Sequence, residues 1–236
     1  MIDKRIACFF IALLILGSIS TKAVDLTDTI KLNPVFKKKK PYPVQPLVLK
    51  TSITGILAGG GLLLFTSEYR LTAEITTGRK QSDQVSIGIL SKNVFWKAIE
   101  NAANVPASDV LKVNGWRIQY AHKFYLVNRK HHSPYGFYVG PHVSYTNAKL
   151  SFGLNRFYNQ TYYDIRHFNA NVIFGVQVGK IGKLTMDISG GIGYKSNTIF
   201  YHYNSYKIAP YDTSDFGLLY NNHLHLMFDF SLGLSF

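Results

Sequence analysis

Three groupings of residues have types and spacings that could do chemistry. His142 and Ser144 stand two apart. On an extended strand they share a face, and an imidazole beside a hydroxyl is the core of nucleophilic hydrolysis. Such a pair needs an acid to orient the ring, and no Glu follows Glu100. His223 and His225 also share a face, and His131 adjoins His132. Two imidazoles so placed can reach one metal, but no third ligand is evident, so no metal site is expected and these histidines read as polar lumen or rim residues. The third grouping is Lys50, Glu68, Arg70, Arg117, Lys123, Asp187 and Asp229, each on the polar side of an alternating stretch. If those sides face one enclosed space, the charges must pair or stay hydrated, which describes a salt-bridged lumen network. Gly59, Gly60 and Gly61 read as a tight connection, and no phosphate-cradling loop or nucleotide fingerprint is present. No catalytic residue and no cofactor is assigned.

Strands must position these side chains. In the final stretch, His223 to Phe236, Leu224, Leu226, Phe228, Phe230, Leu232, Leu234 and Phe236 alternate without a break with His223, His225, Met227, Asp229, Ser231, Gly233 and Ser235. One face is wholly apolar and the other is polar. Similar segments precede it: Leu47–Leu57, Leu62–Leu71, Gln84–Leu90, Trp116–Leu126, Tyr135–Tyr145, His167–Val178 and Lys183–Tyr194. The fourth turns Trp116, Ile118 and Tyr120 outward, with His122 breaking its apolar face. The fifth turns Tyr135, Phe137, Val139, Pro141, Val143 and Tyr145 outward, with a mid-strand proline as an irregularity. Eight segments predict an all-β, eight-stranded antiparallel up-and-down transmembrane β-barrel, in which short turns join strands at one end and longer loops at the other. The connections after strands two, four and six should be the short ones. Thr72–Asp83 is too long for that rule, and Gly59–Gly61 is too short for an outer loop. Within one long connection, Asn93–Asn104 has Phe95, Ile99, Ala102 and Ala103 at helical spacing, with Asn93 as cap. Tyr201, Tyr203, Tyr206 and Tyr211 extend the last hairpin above the membrane. Trp116, Tyr135 and Tyr145, near strand ends, are expected in interfacial girdles.

The N-terminus has Lys4 and Arg5 ahead of an apolar run, Ile6–Leu16, then small and polar residues, the layout of a secretory signal peptide cleaved after Ala23 or Ser20. Residues 1–23 are read as that signal, 24–46 as an extended basic and Pro-rich periplasmic segment, and 47–236 as the barrel. Lys37–Lys40 with Pro41, Pro43 and Pro46 exclude regular structure in the lead-in. The sole cysteine is Cys8, so the exported chain closes by pairing and packing without disulfides. The net charge of +13 suits an anionic glycolipid surface or a solvated basic rim, and no nucleic-acid partner is expected for an exported chain.

The terminal Phe resembles the C-terminal signal that the outer-membrane assembly machinery reads, here Phe228, Phe230, Leu232, Leu234 and Phe236. Together with FTSEYRL (Phe65–Leu71) and GFYVGPHVSY (Gly136–Tyr145), it makes the chain resemble small outer-membrane β-barrel proteins of the Bacteroidota type, with OmpA-like and OmpX-like barrel architecture. The resemblance implies an outer-membrane location in a Gram-negative bacterium. It implies membrane lipid, lipopolysaccharide and the barrel assembly machinery as partners, and it carries over no catalytic or binding residues. The function expected is that of a non-enzymatic barrel acting through its surface loops in envelope integrity, adhesion or ligand contact. The alternatives are an outer-membrane lipid-modifying enzyme, since His142-x-Ser144 resembles the pair of lipid A deacylase barrels, or a narrow channel for small hydrophobic compounds.

Overall fold

The computed structural model describes residues 47–58, 66–104, 111–126, 134–152, 162–179, 183–203, 206–210 and 223–236. The signal and basic lead-in expected from the sequence, Gly59–Gly61, His131, His132 and Tyr211 lie outside these residues.

Eight antiparallel strands form a closed barrel: β1 (Leu47–Ser52), β2 (Thr66–Gly78), β3 (Gln81–Lys92), β4 (Leu111–Tyr125), β5 (Gly136–Phe152), β6 (Tyr162–Gly179), β7 (Leu184–Tyr203) and β9 (Leu224–Ser235). The order round the wall is β6-β5-β4-β3-β2-β1-β9-β7, and pairing of β6 with β7 closes it. A further strand, β8 (Tyr206–Pro210), pairs with β7 alone, extending that hairpin beyond the ring as the tyrosine-rich segment suggested. Following paired residues round the wall from Lys50 through Thr72, Ser86, Gln119, Ser144, Asn169 and Lys195 to His223 climbs well past the end of β1. That stagger is what tilts the strands, by about 40° in barrels of this kind.

The structure corrects the first hairpins. The strand read as Leu47–Leu57 ends at Ser52, and Ile53–Ala58 forms a short helix, α1. The second strand, read as Leu62–Leu71, does not end at Leu71; it runs on through Thr72, Glu74 and Thr76, residues 62–65 lying outside the described residues, and the third begins at Gln81, with Arg79 and Lys80 as a two-residue turn between them. The supposed long loop Thr72–Asp83 is therefore mostly strand, whose alternation of Leu71, Ala73 and Ile75 with Thr72, Glu74 and Thr76 continues to the turn. With this shift the rule of short and long connections holds for the first and third short-end connections. Two residues join β2 to β3 and residues 180–183 join β6 to β7, whereas two of the connections at the other end carry helices; the β4–β5 connection, residues 126–135, departs from the rule, being no shorter than residues 153–161 between β5 and β6.

Side-chain placement is inverted relative to a soluble fold. Lys50, Glu68, Glu74 and Lys123 are at most 2% exposed, whereas Leu71, Ile87, Leu226 and Phe228 are more than 60% exposed. The pleat causes this, because each strand sends alternate residues to opposite faces of a wall that encloses a narrow space. Outside, the apolar belt ends toward the loop-bearing rim at Tyr69, Trp116, Tyr145 and Tyr194, with Trp116 and Tyr145 in tilted contact at 5.6 Å. Beyond them the outward positions turn polar: Lys112 and Asn114 on β4, Asn147 and Lys149 on β5. Trp116 and Tyr145 thus mark the edge of the belt and not the strand ends, since β4 and β5 continue past it. Tyr135 departs from its expected outward position: it precedes β5 at a bend and is buried.

His122 breaks the apolar face without harm because it binds Asp83 at 2.7 Å, and Tyr120 donates to the same carboxylate. Pro141 is accommodated where the β4–β5 ladder skips, between Ala121↔His142 and Phe124↔Val139. Gly140 beside it permits that close approach, since a Cβ there would lie 1.7 Å from the His122 carbonyl oxygen.

Candidate functional site in the barrel lumen

Inner-facing residues form three layers. Nearest the short-turn end, Lys50 donates to Asp187 (2.7 Å), Gln84 (3.0 Å), Gln177 (3.1 Å) and Glu74. Lys123 reaches Asp187 at 2.7 Å, Gln177 at 3.2 Å and Glu74 at 3.3 Å, and lies over the Tyr138 ring. Tyr125 donates to Glu74 and Tyr138 to Asp187, each at 2.7 Å. Two cations and two carboxylates thus balance, and the phenols and amides fill the carboxylates' remaining lone pairs. This layer ties β1, β2, β4 and β7 together across the lower lumen.

In the middle layer Arg117 meets Glu68 at 2.6 Å and Thr146 at 2.7 Å. Gln119 donates to Glu68 at 3.0 Å and accepts from Arg70 at 2.8 Å. Arg70 also bridges to Asp229, which Ser52, Thr54 and Ser231 approach as donors. Gly88 leaves room for Glu68, whose Oε1 would sit 2.7 Å from a Cβ at that position. Behind these lies a chain of neutral groups. Asn171 donates to His142 Nδ1 at 3.0 Å and accepts from His225 Nδ1 at 2.8 Å, while His142 Nε2 faces the Gln119 carbonyl at 3.3 Å. That order of donors and acceptors puts the His142 proton on Nε2 and the His225 proton on Nδ1.

Toward the loop-bearing end the lining turns apolar. Leu111, Leu150, Ile165 and Ile199 cluster with Val113 and Tyr163, and Trp96 packs on them from α2 (Val94–Ala102). The helix expected between Asn93 and Asn104 is therefore present, with the Asn93 side chain accepting from the Phe95 N–H at 2.8 Å. Glu100 anchors it, accepting from the Trp96 indole and the Leu111 N–H at 3.0 Å each and from Lys92. The Lys92 bond, with those two, holds the Glu100 carboxyl below the usual glutamate range.

All seven charged residues singled out in the sequence lie in this lumen, in two groups: Lys50, Lys123 and Asp187 in the lower layer, and Glu68, Arg70, Arg117 and Asp229 in the middle one. Glu74, Gln177, Tyr125 and Tyr138 complete the lower layer; alternation puts Tyr138 and Gln177 on the inner face of their strands, but as uncharged residues they were not counted in the network, and Glu74 was missed. Glu74 fell in the supposed loop, although the alternation around it marked an inward residue. His142 and Ser144 share the inner face, but His142 engages Asn171 and Gln119, and Ser144 accepts from Asn169 at 3.1 Å. His225 is buried and His223 exposed at the end of the strand, stacked with Tyr194, so the two do not converge. Among the described residues no group of three or more His, Cys, Asp or Glu could hold a metal.

Of the C-terminal residues, Phe228, Leu234 and Phe236 are exposed and Phe230 and Leu232 half-buried. The Phe236 N–H bonds the Leu47 carbonyl at 2.8 Å, joining the end of the chain to the first strand.

No family model matches the sequence, and no curated protein does. Among solved structures, the chain is similar to a major outer membrane protein from Thermus thermophilus, at 12% identity and a TM-score of 0.43, over 81% of this chain and 98% of the other.

Proposed function

We propose that the chain is an integral outer-membrane barrel, not an enzyme, with a sealed lumen, that acts through its loop-bearing end in envelope integrity, adhesion or ligand contact. The inverted wall carries this reading: a belt of exposed Leu, Ile, Val and Phe encloses buried Lys, Arg, Asp and Glu, and the belt changes to polar residues above Trp116 and Tyr145. Water is a poor solvent for that exterior and hydrocarbon a good one, and a closed sheet is one of the two forms in which backbone can cross a bilayer. Membrane lipid and lipopolysaccharide then surround the belt, and the assembly machinery reads the C-terminal Phe236. The charge layer around Lys50 and Asp187 speaks against conduction, since its side chains fill the narrow bore.

The test is fractionation joined to bilayer recording. The protein should stay in the outer-membrane pellet through carbonate washing, and its reconstituted form should give no single-channel steps. Recovery in the soluble periplasm would overturn the membrane reading, and discrete conductance would overturn the sealed lumen.

A further inference from the structure

Among the described residues the strand ladder of the wall is incomplete on one side. β1 pairs with β2 only as far as Thr51↔Leu71 and with β9 only as far as Ser52↔Ser231. Among the described residues no part of β1 stands opposite Ser67–Arg70 of β2 or His225–Phe230 of β9. Helix α1 occupies that breach, held by side chains: Thr54 accepts from the Phe230 N–H at 3.0 Å, Ser67 donates to the Ile56 carbonyl at 2.6 Å, and Asn93 donates to the Leu57 carbonyl at 2.8 Å. With the Thr54 hydroxyl's bond to Asp229 at 2.9 Å, these bonds are still fewer than a strand ladder of that length makes, so α1 is held less firmly than the strands beside it.

The middle layer lies beside the same breach. Its cavity is lined by Arg70, His225, Met227, Phe228 and Asp229 from the two flanking strands, with Asn169 behind. Three polar atoms of its lining residues have no hydrogen-bond partner among the described residues, the acceptors His225 Nε2 and Asn169 Oδ1 and the donor Arg70 Nε, although His225 is 6%, Asn169 2% and Arg70 8% exposed. The Asn171 bond places the His225 proton on Nδ1, so its Nε2 is a bare acceptor; Asn169 spends its amide N–H on Ser144, so its Oδ1 is one as well. The nearby guanidiniums are already matched by Glu68 and Asp229. Two buried acceptors beside one unpaired N–H donor select a group that both donates and accepts, as a hydroxyl does, over a carboxylate, which only accepts and would add a charge to a set already balanced.

We propose that this chamber is a binding site for a single-chain amphiphile with a hydroxyl-bearing head group, which enters from the bilayer between β2 and β9 when α1 yields. The head donates to His225 Nε2 and Asn169 Oδ1, and the acyl chain lies along the breach against the apolar belt. With α1 seated the cavity holds little free space, so displacement of α1 is part of binding. The proposal rests on the membrane reading above.

The experiment uses the full chain in phosphatidylcholine vesicles with monooleoylglycerol carrying a photoreactive diazirine in its acyl chain, and adducts are mapped by mass spectrometry. Adducts concentrated on α1 and the His225–Phe230 edge, competed by plain monooleoylglycerol and not by oleate, are expected. His225→Phe should weaken competition about fivefold, the loss of roughly one hydrogen bond, and Thr54→Val, which loosens α1, should raise the labelling rate. Adducts spread evenly round the belt, equal competition by oleate, or indifference to both substitutions overturns the proposal and means that water fills the chamber. Carbonate extraction of the same vesicles separates the two readings: protein that washes off refutes the membrane reading, whereas inserted protein with belt-wide adducts refutes the lateral site alone.

Discussion

Lys50 on β1 and Asp187 on β7 meet at 2.7 Å inside the barrel, although 137 residues separate them in sequence. Lys123 shares the same carboxylate oxygen from a third strand. Breaking one partner of such a buried set strands the others without charge compensation. Asp187→Asn should therefore lower unfolding stability by about 3 to 5 kcal/mol, read from urea titration of the barrel in vesicles. A loss below roughly 1 kcal/mol, the scale of an exposed pair, would show that water reaches the layer.

Ile87 projects from the middle of β3 and is 61% exposed. If the belt meets hydrocarbon, Ile87→Arg should cost about 2 to 4 kcal/mol near the midplane. Lys112→Ala, above the aromatic edge, should change stability by less than about 0.5 kcal/mol. Equal costs at the two positions would remove the assigned membrane boundary.

Phe236 is 64% exposed, and its backbone N–H ties it to β1. Phe236→Ala keeps that N–H, so the purified, refolded barrel should unfold at nearly the wild-type denaturant concentration. If the ring serves recognition during assembly, as proposed, the variant's level in the outer membrane of expressing cells should fall sharply. An unchanged cellular level argues against the C-terminal signal.

Lys92 and Glu100 give α2 a pH dependence. The folded carboxyl sits below the ordinary glutamate range, so the anchoring is complete above the unfolded value and is lost as pH falls through the lowered folded one. In a Trp116→Phe background, Trp96 emission should shift toward that of exposed indole on acidification, and Glu100→Gln should flatten the shift. Asn93→Ala should loosen the same helix by about 1 kcal/mol, the usual worth of such a cap.

The barrel was legible wherever one face had to differ from the other. The alternation in His167–Val178 and in the final strand identified lipid-side and lumen-side residues because the pleat leaves no other choice. It failed where both faces looked alike. Ile53, Ile56 and Leu57 continue an apolar run beyond Ser52, and periodicity over so short a segment cannot separate a buried strand from a helix. The strand ends were misread for a different reason: above Trp116 and Tyr145 the wall no longer needs an apolar exterior, so the pattern fades while the hydrogen-bond ladder continues. The pairing of particular lumen charges, such as Arg117 with Glu68 and not Asp229, depends on the stagger of the closed sheet, which no single strand encodes.

The shortness of β1 also bears on how the cylinder holds its shape. The other neighbouring strands of the ring are zipped along most of their length, β6 with β7 from Tyr162↔His202 to Gly179↔Thr185, whereas β1 grips β9 only from Val48 to Ser52. The molecule is in effect a curled ribbon of seven long strands fastened by a six-residue clasp. Undoing that clasp converts a tube into an open ribbon at the cost of few ladder bonds among the described residues, and the lysine at its centre, Lys50, is the rivet that pins the clasp across the lumen to β6 and β7.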